Sequence, residues 1–520
     1  MTRRLVLPLL AALCLFAQTP RPAPAPKKPK LVLLLVVDQF RADYLFRFRE
    51  QYSGGLDRLL RQGAFFSNAH YEHFPTVTAI GHSTVLSGAT PSISGIIGND
   101  WFDRASAKSV TSVEDRSAKL LGADGTASSP HRLLVSTIAD ELKMSGRGAS
   151  KTYGISLKDR SAILPVGRTA SGAFWFNAAS GNFVSSTWYG PELPAWAAEF
   201  NKSRTVDQFL SKAWTPIDKP GGEPLQVLAK EPGKTYYDSM SDTPFGNDLV
   251  EALAERAIDA EKLGQRGDTD LLSLSFSSND GIGHDFGPDH VKVRDVSIRT
   301  DRLLTKLFDF LDKRVGMANV LVILTADHGV SPTAEVQKAR QMPGARLSEP
   351  AMMEAIEKRL SSIYGGSKWV LGRSGPSPYL NHALIDQMKL NPAEVRRQAA
   401  EALRAFPNIA RVYTREDLIA GPQGDLIDRR VRAGFHQARG ADLYPITNPY
   451  FTYGKEGASH GSPYNYDTHV PILLMGAGIK PGRYAQRAAV NDIAPTLAEL
   501  LDIETPSGSV GRPLLEALRR

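Results

Sequence analysis

The sequence predicts an α/β fold, a three-layer α/β/α sandwich with a mostly parallel central sheet. Three apolar runs that end in polar residues support this prediction: LVLLLVVD, DLLSLSFSSND and NVLVILTADHG, at residues 31–38, 270–280 and 319–329. Continuous apolar runs of this length are typical of strands that are buried on both faces of a parallel sheet. Helical patterns such as SIRTDRLLTKLFDFLDKR separate the runs, and this alternation favours a parallel sheet covered by helices on both sides.

Two stretches interrupt the alternation and are interpreted as insertions into a single domain that spans residues 31–520. The first, at about 151–239, contains GAFWFNAASGNFVSSTWYG, which predicts a β-hairpin closed by the turn residues 178–182. The second, at about 331–450, mixes helical patterns with short strand-like pieces. A fourth apolar run, HVPILLMGAG, follows at 469–478. We expect both insertions to cap the strand ends, with the segment at 174–189 forming the rim of a cleft.

The N-terminal residues, MTRRLVLPLLAALCLFAQ, combine two arginines with an apolar run, which is the layout of a secretory signal peptide over residues 1–18. The run is shorter than a membrane-spanning helix needs, and a membrane anchor is the alternative interpretation. Residues 19–30 form a proline-rich tether. Cys14, the only cysteine, lies in the signal segment, so any metal bound by the mature chain must take His and carboxylate ligands.

The composition and the N-terminal sequence together predict the localisation of the protein and its binding partners. The chain has 520 residues, of which 42% are hydrophobic and 22% charged, as in an ordinary soluble globular protein. Its formal charge of +7 is spread along the chain and is no nucleic-acid signature. We therefore expect a protein exported to a bacterial periplasm or outer surface, monomeric, with no nucleic-acid partner and no stable membrane insertion after signal removal.

Acidic and imidazole side chains stand where strands end or where glycine-bearing turns begin: Asp38, Asp280, His284, Asp327, His328 and His460. Strand ends are where α/β enzymes expose their working side chains. Six oxygen and nitrogen ligands are more than one tetrahedral ion needs, so two metal ions about 4 Å apart are the simplest interpretation. The ligand types suit Zn²⁺ and do not exclude Mn²⁺, Fe or Co²⁺.

Each of these residues also has an ordinary structural interpretation. A single Asp at a strand end is often a helix N-cap or a turn former. His290 and His469 could support the ligands from behind or be merely structural. His460 is preferred to His469 because it precedes a glycine in a polar loop, whereas His469 opens a strand. Gly281 and Gly283, which lie between Asp280 and His284, favour a tight turn over a helix.

A candidate nucleophile lies in HFPTVTAIGHSTVLSGATPSISGIIGNDW, residues 73–101. Thr78 follows a proline-marked turn and begins a run of small and apolar residues, which predicts a helix N-terminus that attracts anions. A threonine hydroxyl needs a base or a metal to become nucleophilic. Thr76 is a competitor for this role. His82, four residues after Thr78, makes a Thr–His hydrolase conceivable, but no third orienting group is evident. A packed residue, or one that supports the site residues from behind, is preferred for His82.

Three further residues form a candidate phosphate clamp. Asn99 offers an amide donor, and Lys158 and Arg160 in LKDR project to the same side if that segment is extended. Two cations would pair with the dianion of a phosphate monoester, whereas a diester carries one negative charge, so the pair would favour monoesters. LKDR is also an unremarkable solvated charge pattern, and that alternative remains open.

Specific motifs across the chain resemble the alkaline phosphatase superfamily: VVDQFRADYL, TAIGHSTVLSGATPSISGIIGNDW, SLKDRSAILPVGR, NDGIGHDFGPDH, TADHGV and SHGSPYNYDTHVP. The resemblance covers nearly all of the chain from residue 31 onward. Within this superfamily, the chain is similar to the phosphate-irrepressible, threonine-nucleophile alkaline phosphatases, which are relatives of the nucleotide pyrophosphatase/phosphodiesterases. An alkaline phosphatase-like α/β/α fold is therefore expected.

The resemblance also implies roles for single residues. It implies one Zn²⁺ held by Asp38, Thr78, Asp327 and His328, and a second Zn²⁺ held by Asp280, His284 and His460. It implies that Thr78 forms a covalent phosphothreonine intermediate, and that Asn99, Lys158 and Arg160 hold the phosphoryl group of small-molecule phosphate monoesters.

Three other functions compete with this phosphomonoesterase hypothesis. A phosphodiesterase or nucleotide pyrophosphatase would use the same metals, although those relatives lack the Lys/Arg pair. A sulfatase is disfavoured because that branch uses a modified Cys or Ser where this chain has Thr78. A non-catalytic binding protein would be expected to have lost ligands, and here all seven positions are intact.

Overall fold

The computed structural model describes residues 28–421 and 424–519. The predicted signal peptide, residues 1–18, and most of the tether lie outside the described residues. Within the described part of the chain, no helix combines the length and the apolar character that a membrane crossing requires.

A sheet of twelve strands forms the centre of the molecule. In chain order its strands are β1 (Leu31–Val37), β2 (Ala64–His70), β3 (Glu114–Leu121), β4 (Thr126–Ser128), β5 (Thr152–Ser156), β6 (Gly172–Asn177), β7 (Asn182–Ser186), β8 (Asp270–Phe276), β9 (Val320–Thr325), β10 (His469–Gly476), β11 (Gly482–Tyr484) and β12 (Ala488–Ala489). Their spatial order is β11-β2-β10-β9-β1-β8-β5-β6-β7-β3-β4, and β12 pairs with β2.

Five adjacent strands, β9-β1-β8-β5-β6, run parallel to one another. The predicted parallel centre is confirmed, and the sheet as a whole is mixed. The fourth apolar run, which becomes β10, lies antiparallel to both β9 and β2. Strand β7 likewise returns antiparallel beside β6, so the predicted hairpin is confirmed.

The register of the central strands positions the site. Val36 of β1 pairs with Thr325 of β9, and Val37 pairs with Phe276 of β8, so these three strands end at the same level. All residues of β1, β8 and β9 are buried, as the largely apolar sequences of these strands predict. The segments that follow the strands therefore emerge side by side at one edge of the sheet.

Helices cover both faces of the sheet and fill the second insertion. They include α1 (Gly55–Gln62), α2 (Thr78–Ser87), α3 (Ile138–Ser145), α4 (Phe245–Glu261), α5 (Ser278–Phe286), α6 (Val291–Arg314), α7 (Glu349–Tyr364), α8 (Pro392–Arg404), α9 (Leu426–Gly434) and α10 (Ile493–Leu501). Helices α1, α4, α5 and α6 pack together, while α2, α3 and α10 form a second group. The predicted three-layer α/β/α architecture is confirmed.

The second insertion has its own apolar core, formed largely by helices α7 and α8 and two small antiparallel sheets. Asp442 fastens this unit to the rest of the molecule. Its Oδ2 accepts hydrogen bonds from Arg104 Nη2 and Leu380 N, both at 2.9 Å, and its Oδ1 accepts one from Arg396 Nη1 at 3.1 Å. His382 Nε2 lies 2.9 Å from the same Oδ1. The buried carboxylate of Asp442 thus links Arg104, which lies outside the insertion, to Leu380 and Arg396 within it.

The first insertion differs from the expectation. Strands β5, β6 and β7 belong to the central sheet, so residues 152–186 extend the core and do not cap it. The sequence of β5, TYGIS, contains only one strongly apolar aliphatic residue, and the strand is nevertheless fully buried. Its place in the sheet depends on tertiary packing, which a hydrophobic pattern does not reveal.

Candidate active site

Thr78 is the first residue of helix α2, as predicted. It is 1% exposed, and the whole of α2 is buried. The N-cap residue, Val77, provides no side-chain hydrogen bond, so the amide groups of the first turn are left to other partners. Asn99 satisfies one of them, because its Oδ1 accepts a hydrogen bond from Ala79 N at 2.9 Å. The nucleophile candidate thus stands at the positive end of a helix dipole.

A first group of side chains surrounds Nε2 of His328. This atom lies 3.4 Å from Thr78 Oγ1, 3.5 Å from Asp38 Oδ1 and 3.5 Å from Asp327 Oδ2. Both carboxylate oxygens are buried and have no hydrogen-bond partner among the described residues. Buried anionic oxygens without a donor are costly, and a cation shared by the group would satisfy them.

A second group contains Asp280, His284 and His460. Oδ1 of Asp280 lies 3.2 Å from His284 Nε2 and 3.8 Å from His460 Nε2, and the two imidazole nitrogens are 3.2 Å apart. One ligand atom of each residue lies within 4.8 Å of the others, and Asp280 also forms such a set with Asp38 and His328. The two groups are therefore neighbours that share Asp280.

The three imidazoles are held in the same way. Each Nδ1 faces a backbone carbonyl oxygen at 2.8 to 3.0 Å: Gly329 O for His328, Thr76 O for His460 and Ala458 O for His284. A carbonyl accepts and cannot donate, so each Nδ1 carries the hydrogen, and in a neutral ring Nε2 presents its lone pair to the centre of the site. This arrangement is typical of histidine ligands to metals.

Helix α5 corrects the expected geometry of the second group. Asp280 and His284 lie four apart on the same face of a helix, and no tight turn is formed. The two glycines are explained by packing: a Cβ on Gly281 would overlap Ser241 O, and one on Gly283 would overlap Gln39 Oε1. Both glycines permit close approach of a neighbour, which sequence alone does not distinguish from the backbone freedom that a turn requires.

Lys158 joins the two groups. Its Nζ donates to Oδ2 of Asp38 and to Oδ2 of Asp280, both at 2.6 Å. Burial and the charges of Asp280 and Asp327 raise the pKa of Asp38 well above its ordinary value. Burial would also raise the pKa of Asp280, but Lys158 and His284 outweigh it and hold that pKa well below its ordinary value. The buried carboxylates thus need positive charge to remain ionised together.

The histidines of the second group are affected in opposite directions. The charge of Asp280 raises the pKa of His284 to about 9, in spite of its burial. Burial and the neighbouring rings of His328 and His284 hold the pKa of His460 well below its ordinary value. At neutral pH the site therefore attracts one positive charge between the two rings, either a proton on His284 or a metal ion.

Asn99 and Arg160, the other two residues of the candidate phosphate clamp, differ in the contacts that they make. Asn99 uses its amide oxygen for Ala79, which leaves its NH₂ group without a partner among the described residues. Arg160 contacts none of the described site carboxylates, and its ion pair is with the adjacent Asp159, at 4.0 Å. The segment is not extended beyond Lys158, because a short helix begins at Asp159.

One residue that supports the site, Gln39, was not recognised from the sequence. Gln39 donates from its backbone N to Asp327 Oδ1 at 3.1 Å and from Nε2 to Asp280 Oδ1 at 2.7 Å. It adopts a left-handed backbone conformation with φ of 61°, which is uncommon for a residue with a side chain and is found at functional sites. Its only sequence signal is adjacency to Asp38.

His82 lies beside Asp327, which agrees with the packed or supporting position preferred for it from the sequence. His82 Nδ1 lies 3.3 Å from Asp327 Oδ2 and 2.9 Å from Thr78 O, while Nε2 lies 2.8 Å from Ser275 Oγ. The ring reaches the carbonyl of Thr78 and not its hydroxyl. A role for His82 in orienting Asp327 fits this geometry, whereas a Thr–His catalytic pair does not.

The expected rim of the cleft is also corrected. A cavity adjoins Asn99 and His460, and the residues that line it come from the core loops and from the second insertion and its flank. Among the described residues, none from 174–189 lines this cavity. The hairpin lies in the central sheet because its apolar side chains, including Phe174 and Phe183, are buried there.

Comparison with known proteins identifies the family of this chain. Residues 32–462 match the family described as type I phosphodiesterase / nucleotide pyrophosphatase. The chain belongs to this family. The match begins in β1 and ends just beyond His460, so it includes every predicted site residue.

Two alkaline phosphatases are similar over nearly the whole chain. Alkaline phosphatase PafA of Elizabethkingia meningoseptica is 36% identical, with 95% of each chain covered. Alkaline phosphatase PhoV of Synechococcus elongatus is 35% identical, over 95% of this chain and 93% of that protein. The resemblance to alkaline phosphatases that the motifs indicated is confirmed.

The architecture agrees as well. The crystal structure of wild-type alkaline phosphatase PafA matches with a TM-score of 0.89 at 34% identity, covering 95% of this chain and 100% of that one. The match includes both the central sheet and the second insertion, because nearly all of both chains is superimposed. The fold class expected from the resemblance is therefore confirmed.

Proposed function

We propose that this protein is a metal-dependent phosphomonoesterase that uses Thr78 as its nucleophile. One observation carries the proposal. Thr78 Oγ1 and two buried carboxylate oxygens that accept no hydrogen bond among the described residues all lie within 3.5 Å of His328 Nε2. Buried oxygens and lone-pair nitrogens that converge beside a hydroxyl at a helix N-terminus form a site for a cation and an activated alcohol. The names of the alkaline phosphatase relatives support the reaction class.

The donor set fits two zinc ions. Asp38, Thr78, Asp327 and His328 would hold one ion, and Asp280, His284 and His460 would hold the other. Oxygen and imidazole donors without sulfur suit Zn²⁺. When bound, such ions favour ionised oxygen atoms on the nucleophile and on the leaving group.

The chain's own residues position the phosphate ester. The first-turn amides of α2 and the free NH₂ group of Asn99 donate to the oxygens of the phosphoryl group, and Lys158 contributes positive charge. In the first displacement, a bond forms between Thr78 Oγ and phosphorus as the bond from phosphorus to the alcohol oxygen breaks. The alcohol leaves with a proton, and phosphothreonine remains. Water then attacks phosphorus, the bond between phosphorus and Thr78 Oγ breaks, and phosphate leaves. A proton from the water regenerates the hydroxyl of Thr78.

The same site could take diesters, because the family description includes phosphodiesterases. Lys158 supports the choice of monoesters. It carries positive charge at the boundary of the two groups, where a phosphate dianion would bind more strongly than a monoanion. We further propose that the protein is exported and acts as a monomer on small phosphate monoesters. The signal-like N-terminal sequence and the bacterial source of the relatives support the proposed export.

The decisive experiment compares 4-nitrophenyl phosphate with bis(4-nitrophenyl) phosphate as substrates of the zinc-loaded mature protein. We expect kcat/KM for the monoester to exceed that for the diester by orders of magnitude. Thr78→Ala should abolish turnover while zinc binding persists, and acid-quenched wild-type enzyme should contain phosphothreonine at residue 78 by mass spectrometry. Equal rates on the two esters would contradict the monoesterase assignment. A phosphate adduct on Thr76 would identify Thr76, and not Thr78, as the nucleophile.

A further inference from the structure

Helix α9 of the second insertion places an arginine in the interior of the molecule. Arg430 is 1% exposed, and its Nη1 donates a hydrogen bond to Pro463 O at 2.6 Å. Its Nε and Nη2 have no hydrogen-bond partner among the described residues. Glu72 Oε2 lies 3.8 Å from Nε, and the other oxygen of Glu72 already accepts from Arg487 Nη2 at 2.5 Å. Burial of a cation that is paired this weakly opposes folding, and such residues are expected at functional sites.

Arg430 contacts two segments of the candidate active site. Its backbone carbonyl oxygen accepts a hydrogen bond from Phe74 N at 3.0 Å, and Phe74 lies four residues before Thr78. Its side chain binds Pro463 O, which lies three residues after His460. Helix α9 is thus bonded both to the segment that leads to the candidate nucleophile and to the loop that carries a candidate metal ligand.

Helix α9 also packs closely against the first of these segments. A Cβ on Gly434 would overlap the backbone carbonyl oxygen of Phe74, so the helix and the segment meet backbone to backbone. Protein interiors are dense and transmit displacements between neighbours in such contact. A shift of helix α9 would therefore move the segment that leads to Thr78.

The two segments are also bonded directly to each other. Thr76 Oγ1 donates to Ser462 O at 2.9 Å, and Nδ1 of His460 donates to Thr76 O at 2.8 Å. The second of these bonds fixes the orientation of the imidazole and hence the direction of its Nε2. Arg430 and Thr76 therefore hold the loop of His460 through separate hydrogen bonds.

His460 depends on these hydrogen bonds more than the other two residues of the second group do. Asp280 and His284 both lie on helix α5, which sets their positions relative to each other. His460 lies in a segment, residues 458–462, that forms neither helix nor strand. The place of His460 beside Asp280 and His284 is therefore decided by the contacts that hold this segment from outside.

We propose that Arg430 is a positioning residue of the second insertion, which holds the loop of His460 against the segment that leads to Thr78. It acts through the backbone of Pro463 and Phe74, and so fixes the second group relative to the candidate nucleophile. The inference rests on the proposed phosphomonoesterase function for its kinetic consequence, whereas its effect on metal binding does not require turnover. Because the guanidinium group is weakly paired, an apolar side chain in its place should cost no stability.

The binding test replaces Arg430 with Met, which fills much of the same space and removes the hydrogen bond to Pro463 O. Zinc is added to the chelator-treated protein in competition with a chromogenic chelator. We expect one of two zinc equivalents to bind about 10- to 100-fold more weakly and the other to bind as in the wild type. The free energy of unfolding of the zinc-free protein in urea should not fall. Arg429→Met, at the neighbouring exposed position of the same helix, is the matched control and should match the wild type.

The kinetic test uses the same variants with 4-nitrophenyl phosphate at saturating zinc. For Arg430→Met, kcat should fall by at least about tenfold while KM changes by less than about threefold, because misplaced reacting groups slow the chemical step more than they weaken substrate binding. Arg430→Lys keeps a donor on the same side chain and should recover part of the losses in kcat and in zinc affinity.

A double-mutant cycle with Thr76→Val tests whether Arg430 acts through the loop of His460. Thr76→Val removes the hydrogen bond to Ser462 O, which holds the same loop. Because either substitution alone releases the loop, the double variant should lose less zinc affinity than the product of the two single losses.

The inference is overturned if Arg430→Met binds both zinc equivalents as the wild type does, or if the two single losses simply multiply in the double variant. It is also overturned if the zinc-free Arg430→Met protein is less stable than the wild type or does not fold, because Arg430 would then be a structural residue. If zinc affinity changes as expected but the wild type hydrolyses no phosphate ester, the proposed function fails and the positioning role of Arg430 stands.

Discussion

Gly81 packs backbone to backbone against Asp327: a Cβ on Gly81 would overlap the carbonyl oxygen, Cα and Cβ of Asp327. Gly81 lies one turn into helix α2, which begins at Thr78, and Asp327 follows strand β9. The contact therefore fixes the distance between the candidate nucleophile and one of its carboxylate partners. Any side chain at position 81 must push these two elements apart.

Replacing Gly81 with Ala should lower kcat/KM by at least about tenfold, because small displacements of reacting groups are costly. We also expect a loss of stability of about 1–3 kcal/mol from overpacking. Gly267→Ala is the matched control, since a Cβ there meets no atom within 4 Å. Activity is measured on 4-nitrophenyl phosphate and stability by urea unfolding. Equal behaviour of the two variants would contradict the packing argument.

Removing the charge of Lys158 should separate the two ester classes. Lys158→Ala is expected to lower monoester kcat/KM by roughly 10²- to 10³-fold, as for other positioned cations, and to affect the diester much less. Lys151→Ala serves as the control, because Lys151 Nζ also forms an ion pair, with Glu261 Oε2 at 2.6 Å, at the opposite end of strand β5. Parallel losses on both esters would show that Lys158 acts on the integrity of the site and not on the substrate charge.

Gln39 should control metal affinity without touching substrate. Loss of its amide in Gln39→Leu frees Asp280 Oδ1, and we expect zinc to bind about 10- to 100-fold more weakly, as for other residues that orient ligands. Gln39→Gly separates the two features of this residue, since glycine adopts φ of 61° without strain. It should match Gln39→Leu in zinc affinity while retaining stability. Unchanged affinity in both variants, measured by competition with a chromogenic chelator, would exclude this role.

Metal removal should destabilise the protein as well as inactivate it. Without cations, Asp38 and Asp327 each keep a buried oxygen with no donor among the described residues. We expect chelation to lower Tm in a thermal-shift assay and to abolish hydrolysis, and two equivalents of zinc to restore both. Thr78→Ala should show a smaller but clear Tm shift, because it loses one oxygen ligand and keeps every carboxylate and imidazole. Full activity after exhaustive chelation would refute the metal-dependent mechanism.

The attachment of the second insertion should depend on pH through Asp442. Burial opposes ionisation of this carboxyl, but His382 and Arg104 outweigh it and hold its pKa at about 2. Since the folded-state pKa is lower than the ordinary 3.8, the stabilisation is present above pH 4 and is lost as the pH falls towards 2. Its full size is about 2 kcal/mol.

Asp442→Asn should therefore lower the free energy of unfolding at pH 7, and the difference from wild type should shrink to roughly half at pH 3. Urea unfolding at the two pH values measures this. Asp124→Asn is the control, because Asp124 is exposed and forms no ion pair among the described residues. If the difference in unfolding free energy between Asp442→Asn and the wild type is the same at both pH values, the effect of the substitution comes from packing and not from ionisation.

Much of the site could be predicted because its residues follow strands that are easily recognised. Asp38 and Asp327 each end a continuous apolar run, and parallel strands that pair in register must bring such ends together. Helix α5 could not be predicted in the same way. Gly281 and Gly283 look like turn residues in the sequence, and only the presence of Ser241 and Gln39 against the helix explains them.

By itself, the sequence determined the three-layer architecture, the edge of the sheet where the site lies and the residue types that gather there. These depend on hydrophobic periodicity and on strand ends, which are local properties of the chain. Only the tertiary structure decided that β5–β7 join the sheet, that Lys158 but not Arg160 contacts the carboxylates, and that a cavity adjoins Asn99 and His460. Those features arise where segments far apart in sequence meet, and close packing between them leaves no periodic signal in either one.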